Sequence, residues 1–158
     1  MTRFVLSTAL MLSLLGVGMS IASAADPEAK KLASEILKKG AELYDKHDAK
    51  VMAATYTEDA RLLWVSKTES GEVVQSVKRG REEIESVYQE YFKNPNDQTQ
   101  SRNTVEYARF VTPEMLIIQG DFEPNIAGQG LYPFVQVRVK EGDKWLIKSL
   151  QFFVFSQD

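Results

Sequence analysis

From Pro27 onward the apolar positions Leu32, Ile36, Leu37, Leu43 and Tyr44 recur at steps of three, four and seven, the period of a single helical face. Asp26 precedes Pro27, and an aspartate N-cap followed by proline in the first helical position is a strong start signal. The spacing predicts a helix that stops near Lys46–His47, after which Asp48 caps a short second helix over Ala49–Tyr56. Its apolar face is Val51, Met52, Thr55 and Tyr56. The period then changes to two. Residues 61–65 read as a strand, Thr68–Gly71 as a turn and residues 73–77 as the returning strand. Gly80 breaks this pattern, and Ile84, Val87, Tyr88, Tyr91 and Phe92 restore helical spacing over Arg81–Phe92. Glu82 and Glu83 fall in the first turn of that helix, where the dipole favours negative charge.

Residues 93–104 are polar and begin with Asn94–Pro95–Asn96, so they read as a loop. Three strands are expected over 105–111, 115–122 and 132–140. A fourth, over 145–155, joins its predecessor through the hairpin turn Glu141–Gly142–Asp143. The whole pattern predicts an α+β domain: three helices in the N-terminal part, interrupted by one hairpin, packed on a curved and mainly antiparallel sheet. Both faces of the last two strands are apolar. Val135, Val137 and Val139 oppose Tyr132 and Phe134, and Leu150, Phe152 and Val154 oppose Phe153 and Phe155. One face packs on the helices and the other requires cover, which a homodimer through the sheet face or the chain's own loops would supply.

Upstream of Asp26 the pattern is of another kind. Arg3 is followed by an apolar-rich run from Phe4 to Val17 and by the small residues Ala22–Ser23–Ala24–Ala25. This is the layout of a secretory signal peptide cleaved after Ala24, leaving residues 25–158 as one domain in the periplasm or outside the cell. The competing reading is a membrane anchor. A spanning helix needs about 20 apolar residues, and Ser20 and Ser23 interrupt the run too early.

Composition narrows the chemistry. The formal net charge is −3, and one of the positive charges, Arg3, lies in the leader, so there is no basic footprint for nucleic acid. The chain has no cysteine, which excludes lipid acylation at cysteine, thiol chemistry, disulfides and cysteine-ligated zinc. It has one histidine, His47, at a helix end, so no histidine-rich metal site forms and no metal or other cofactor is expected. There is also no glycine-rich nucleotide fingerprint. Lys78–Arg79–Gly80–Arg81 is a basic cluster at a helix start, but Glu82, Glu83 and Glu85 follow at once, and a solvated turn accounts for it.

The order of elements and several residue groups resemble the NTF2-like (SnoaL-like, ketosteroid-isomerase-like) superfamily, and within it the SgcJ/EcaC-like or DUF4440-like bacterial group. The groups that carry this resemblance are Tyr44–Asp45–Lys46–His47–Asp48, Tyr56–Thr57–Glu58–Asp59–Ala60 and Gly80–Arg81–Glu82–Glu83–Ile84. Arg109–Phe110–Val111–Thr112–Pro113 and Lys144–Trp145–Leu146–Ile147 complete the set. The resemblance implies a sheet curled around the first helix to leave a conical pocket. It also implies that the isomerase positions (tyrosine, base carboxylate and second acid) fall on Gly40, Trp64 and Val135. None of those side chains has the required group, so the steroid-isomerase mechanism is not expected.

Two sets of candidate residues remain. Asp121 and Glu123 are two apart on one strand, so they share a face and form a candidate acid–base pair; equally they read as solvated strand-end residues. Tyr44, Tyr56, Trp64, Tyr88 and Tyr91 come from elements expected to surround the cone. Gln119, Asp121 and Gln151 would add polar groups to the cone wall if strand parity turns them inward, and Val135 joins the ligand-binding set. Rings with polar tips suit a flat or amphipathic small molecule, and the opposing reading is that they fill the cone as core. The expectation is a small-molecule-binding domain. The alternatives are an isomerase, cyclase or hydrolase using a pocket carboxylate, or a protein-interaction module.

Overall fold

A computed structural model describes residues 26–93, 100–124 and 130–155. The leader expected over residues 1–24 lies outside them. Nine elements follow in order: α1 (Pro27–Tyr44), α2 (Ala49–Ala53), β1 (Tyr56–Lys67), β2 (Val73–Arg79), α3 (Gly80–Tyr91), β3 (Arg102–Thr112), β4 (Met115–Glu123), β5 (Tyr132–Glu141) and β6 (Lys144–Val154). The strands form one six-stranded sheet in the order β2-β1-β6-β5-β4-β3. Every pairing is antiparallel except β1 with β6, where the first strand inserts beside the last. The third helix thus follows the first hairpin rather than preceding the sheet.

Local chemistry sets the helix ends. The Asp26 carboxylate accepts from the backbone N–H groups of Glu28 and Ala29, and the Asp48 carboxylate from that of Val51, so α1 and α2 start on side-chain caps. α2 is shorter than its periodicity suggests. Thr55 turns its hydroxyl back to the Met52 carbonyl at 2.7 Å, and Tyr56 already belongs to β1. His47 has φ +52°, which ends the first helical segment sharply. Arg81 fastens the start of α3 to β1, donating to the Tyr56 carbonyl at 3.1 and 2.5 Å and pairing with Glu58. The basic cluster at residues 78–81 therefore spends its best-placed member on structure.

The inner face of α1 is built of small residues. Ala29, Ala33, Leu37 and Ala41 are buried, which lets the helix approach β3 closely. The remaining core is Met52, Tyr56, Ala60, Leu62, Ile84, Tyr88, Ala108, Leu116, Ile118, Phe134, Ile147 and Leu150. The sheet bends around this core through irregularities in β3, β6 and the start of β1. Among the described residues no helix is long and apolar enough to cross a membrane.

Candidate functional site

The curl of the sheet leaves α1, α2 and α3 standing off β5 and β6 around a cavity of about 1110 Å³. Aliphatic walls come from Leu32, Ile36, Leu43, Leu62 and Leu150. Tyr44, Tyr56, Trp64, Tyr88 and Tyr91 all line it, so the sequence-expected aromatic set is brought together. Tyr44 stands edge-on to Phe92 and to Phe122, with centroids 5.2 and 5.1 Å apart. The exposed side chains Glu35, Lys39, Asp143 and Lys144 mark the rim between α1 and the β5–β6 hairpin.

The buried hydroxyls are paired. Tyr56 and Tyr88, 0% and 6% exposed, share a hydrogen bond of 2.8 Å. Burial pushes the Tyr56 phenol up to about 12, opposed by its bond to Tyr88, and pushes the Tyr88 phenol well above its ordinary value. Both phenols are therefore neutral donor–acceptors at physiological pH. The unfolded chain would lose these protons near pH 10, so their contribution to stability is complete below that pH and is lost as the pH rises through the folded-state values.

Strand parity divides the other expected residues differently. On β5 it is Phe134, Gln136 and Arg138 that are buried and line the cavity. Val135 takes the opposite face, aligned across the sheet with Gln119 on β4 and Gln151 on β6. Gln119, Val135 and Gln151 are thus corrected from cavity wall to outer face, because adjacent strand residues point oppositely and these three share one cross-strand row. Asp121 and Glu123 are also outside the cavity lining. Asp121 aligns with Thr104 and Pro133, its backbone N–H meeting the Thr104 hydroxyl at 3.3 Å, and Glu123 pairs with Arg102. A carboxylate committed to an ion pair at the sheet edge is poorly placed as an acid or base in the cone.

Gln136 and Arg138 are the residues that the sequence reading missed. They are 4% and 5% exposed, charged or polar side chains in the inner row of a strand. The Arg138 Nε donates to the Gln136 Oε1 at 2.5 Å, and Nη1 donates to the Trp145 carbonyl at 2.8 Å. Burial pulls the guanidinium down to about 10, with the nearby Tyr56 and Tyr88 acting in the opposite direction. It remains a cation at neutral pH. The signal available in the sequence was that Phe134, Gln136 and Arg138 have one parity, so a ring known to be inside takes the other two with it. Among the described residues no cluster of three or more histidine or acidic side chains is arranged to hold a metal ion.

This geometry is that of an NTF2-like cone. A protein from Shewanella oneidensis described as NTF-2 like and of unknown function matches 82% of this chain over 100% of its own, at 14% identity and a TM-score of 0.63. A Xanthomonas campestris protein provisionally named a calcium/calmodulin-dependent protein kinase II association domain matches 84% of this chain over 91% of its own (18% identity, TM-score 0.59). A Novosphingobium aromaticivorans protein provisionally named a scytalone dehydratase matches 77% over 82% (12% identity, TM-score 0.58). No protein-family model matches the sequence, and no curated protein matches it either. At these identities the likenesses establish the fold, which hosts unrelated activities.

Proposed function

We propose that this chain is an exported small-molecule-binding domain that holds an apolar or aromatic ligand in its cone. The observation that carries this reading is the cavity itself. Its volume of about 1110 Å³ lies just above the ~300–1,000 Å³ usual for ligand sites, and its wall mixes aliphatic groups with tyrosine and tryptophan rings. A wall this rich in aliphatic and aromatic groups offers an apolar ligand many dispersion contacts. The enzyme reading is less well supported, because Asp121 and Glu123 lie off the cavity and its lining carboxylates Glu35, Glu90 and Asp143 are exposed. The leader pattern supports cleavage after Ala24, and the residue groups quoted above favour the SgcJ/EcaC-like or DUF4440-like group.

One mass-spectrometric experiment addresses both export and binding. The chain is expressed with its leader in a bacterial host, recovered from the periplasm, and compared intact and after solvent extraction with its Trp64→Ala variant. The expected results are an intact mass beginning at Ala25 and a small molecule extracted from the native chain but reduced at least severalfold in the variant. A retained leader sinks the export claim. An empty native chain that also fails to take up any apolar probe sinks the binding claim.

A homodimer through the outer sheet face belongs to the same proposal. Val135, Val137 and Val139, with Ile117, Leu63 and Phe153, give that face an apolar surface only half covered by the monomer. Sedimentation equilibrium at micromolar concentration is expected to return twice the mass of the processed chain, and a monomer there removes the dimer from the account.

A further inference from the structure

Arg138 lies in the wall of the cone, and among the described residues no carboxylate pairs with it. Its hydrogen-bond partners, Gln136 and the Trp145 carbonyl, are both neutral. The ion pairs formed among the described residues join Arg81 to Glu58, Lys93 to Glu90, Arg102 to Glu123 and Lys148 to Asp59, and none includes Arg138. The carboxylates that line the same cavity, Glu35, Glu90 and Asp143, are exposed to solvent. Its neutral neighbours include Ile147, aligned with it across β5 and β6, and the Tyr56–Tyr88 pair.

A buried cation is stable in a protein when something neutralises it, and leaving it single is costly. The tyrosine pair has a matching vacancy. In a hydroxyl–hydroxyl bond one proton is shared and the other remains to be donated elsewhere. No third group among the described residues receives it. A guanidinium, the amide of Gln136 and a spare phenol proton are all donors, gathered in an otherwise apolar cavity. They call for an acceptor that carries charge.

We propose that Arg138, Gln136 and the Tyr56–Tyr88 pair form a carboxylate-binding floor, so that the ligand of the cone is an apolar-bodied carboxylic acid bound as its anion, acid group inward. The proposal rests on the cavity being a ligand site. The planar fork of an arginine matches a carboxylate in shape. A single buried cation balances one negative charge, whereas a phosphate monoester brings up to two. Orientation follows from the same distribution: the charged end meets Arg138 on β5, and the hydrocarbon body lies along Leu62, Leu150 and Trp64.

The test uses matched probes on the purified protein in calorimetric titration at neutral pH. The probes are naphthoate and decanoate as anions, with naphthamide and decanamide as neutral analogues and naphthyl phosphate as a dianion. Charge-assisted hydrogen bonds imply about a ten- to hundredfold preference for carboxylate over amide in the wild-type protein. Arg138→Met is expected to erase that preference while keeping amide affinity within about threefold, since the apolar wall is unchanged. Gln136→Glu supplies the guanidinium with an internal counter-ion. It is expected to lose the carboxylate preference while melting at a higher temperature, a combination that a purely structural arginine would not produce. Equal affinity for acid and amide in the wild type overturns the carboxylate floor and leaves the ligand cavity standing. Tighter binding of naphthyl phosphate overturns it in favour of a dianion. A carboxylate preference that survives Gln136→Glu overturns the assignment to Arg138 even if the methionine variant fails to fold. Binding of no probe at all refutes the ligand cavity, and the floor with it.

Discussion

Gly120→Ala is expected to destabilise the folded state strongly, lowering its midpoint of urea unfolding. Gly120 is buried on the inner row of β4, beside the irregularity in β3 between Val105 and Tyr107. A Cβ there would lie 1.9 Å from the Thr104 carbonyl oxygen, 2.9 Å from its carbon and 3.4 Å from the Val105 Cα. All three are backbone atoms, so no rotamer change relieves the overlap. The strands would have to part where β3 and β4 bend together around α1, breaking their ladder and loosening Asn103, whose amide holds the Leu37 carbonyl at 3.1 Å. A cost of about 3–5 kcal/mol is appropriate for a clash of this kind, against a total stability on the order of 5–15 kcal/mol. Urea unfolding followed by circular dichroism measures it. The control is Gly40→Ala, which meets nothing within 4 Å in the middle of α1 and is expected to gain about 0.5–1 kcal/mol from helix propensity. If Gly120→Ala unfolds at the wild-type denaturant concentration, β3 and β4 do not approach as described.

The same stretch of sheet explains why the fold was more legible in the sequence than the site. Helices α1 and α3 follow from apolar spacing and an N-terminal signal, and the β5–β6 hairpin from Glu141–Gly142–Asp143, all local patterns. The parallel join of β1 to β6 is not local, since Leu62 and Leu150 meet across most of the chain, and nothing in either segment advertises the partner. The boundary at Thr55–Tyr56 was misread because a helical period continues into Tyr56 while the Thr55 hydroxyl has already turned the chain. Of the cavity aromatics, Tyr44 and Tyr88 occupy helical stripes and Tyr56 a buried strand start, whereas Trp64 lies within β1 and Tyr91 is 49% exposed. The floor was missed for a physical reason. Alternation along β5 separates Val135 and Val137 from Gln136 and Arg138, but with polar residues in one row and valines in the other, hydrophobicity assigns the valines inward. The protein does the reverse, placing the charge inside and leaving the valines on the outer face. A strand whose polar row faces the core is a conflict between local pattern and fold, and such conflicts concentrate where binding is needed.

That conflict has a measurable size. The double substitution Arg138→Met with Gln136→Leu is expected to make the ligand-free protein more stable, by about 1–4 kcal/mol, while removing its affinity for carboxylates. Burial pulls the guanidinium down to about 10, the direction expected where desolvation penalises the charged form. Replacing Gln136 at the same time avoids leaving its amide unsatisfied, and both replacements have nearly the volume of the originals, so no large void opens. The opposing loss is one hydrogen bond to the Trp145 carbonyl, worth about 1 kcal/mol. Urea titrations of both proteins at neutral pH read the difference. A double variant less stable than wild type at neutral pH would make Arg138 a strap that holds the β5–β6 hairpin through Trp145. One that is more stable yet no longer binds acids would show that the cone carries an uncompensated cation for the sake of its ligand.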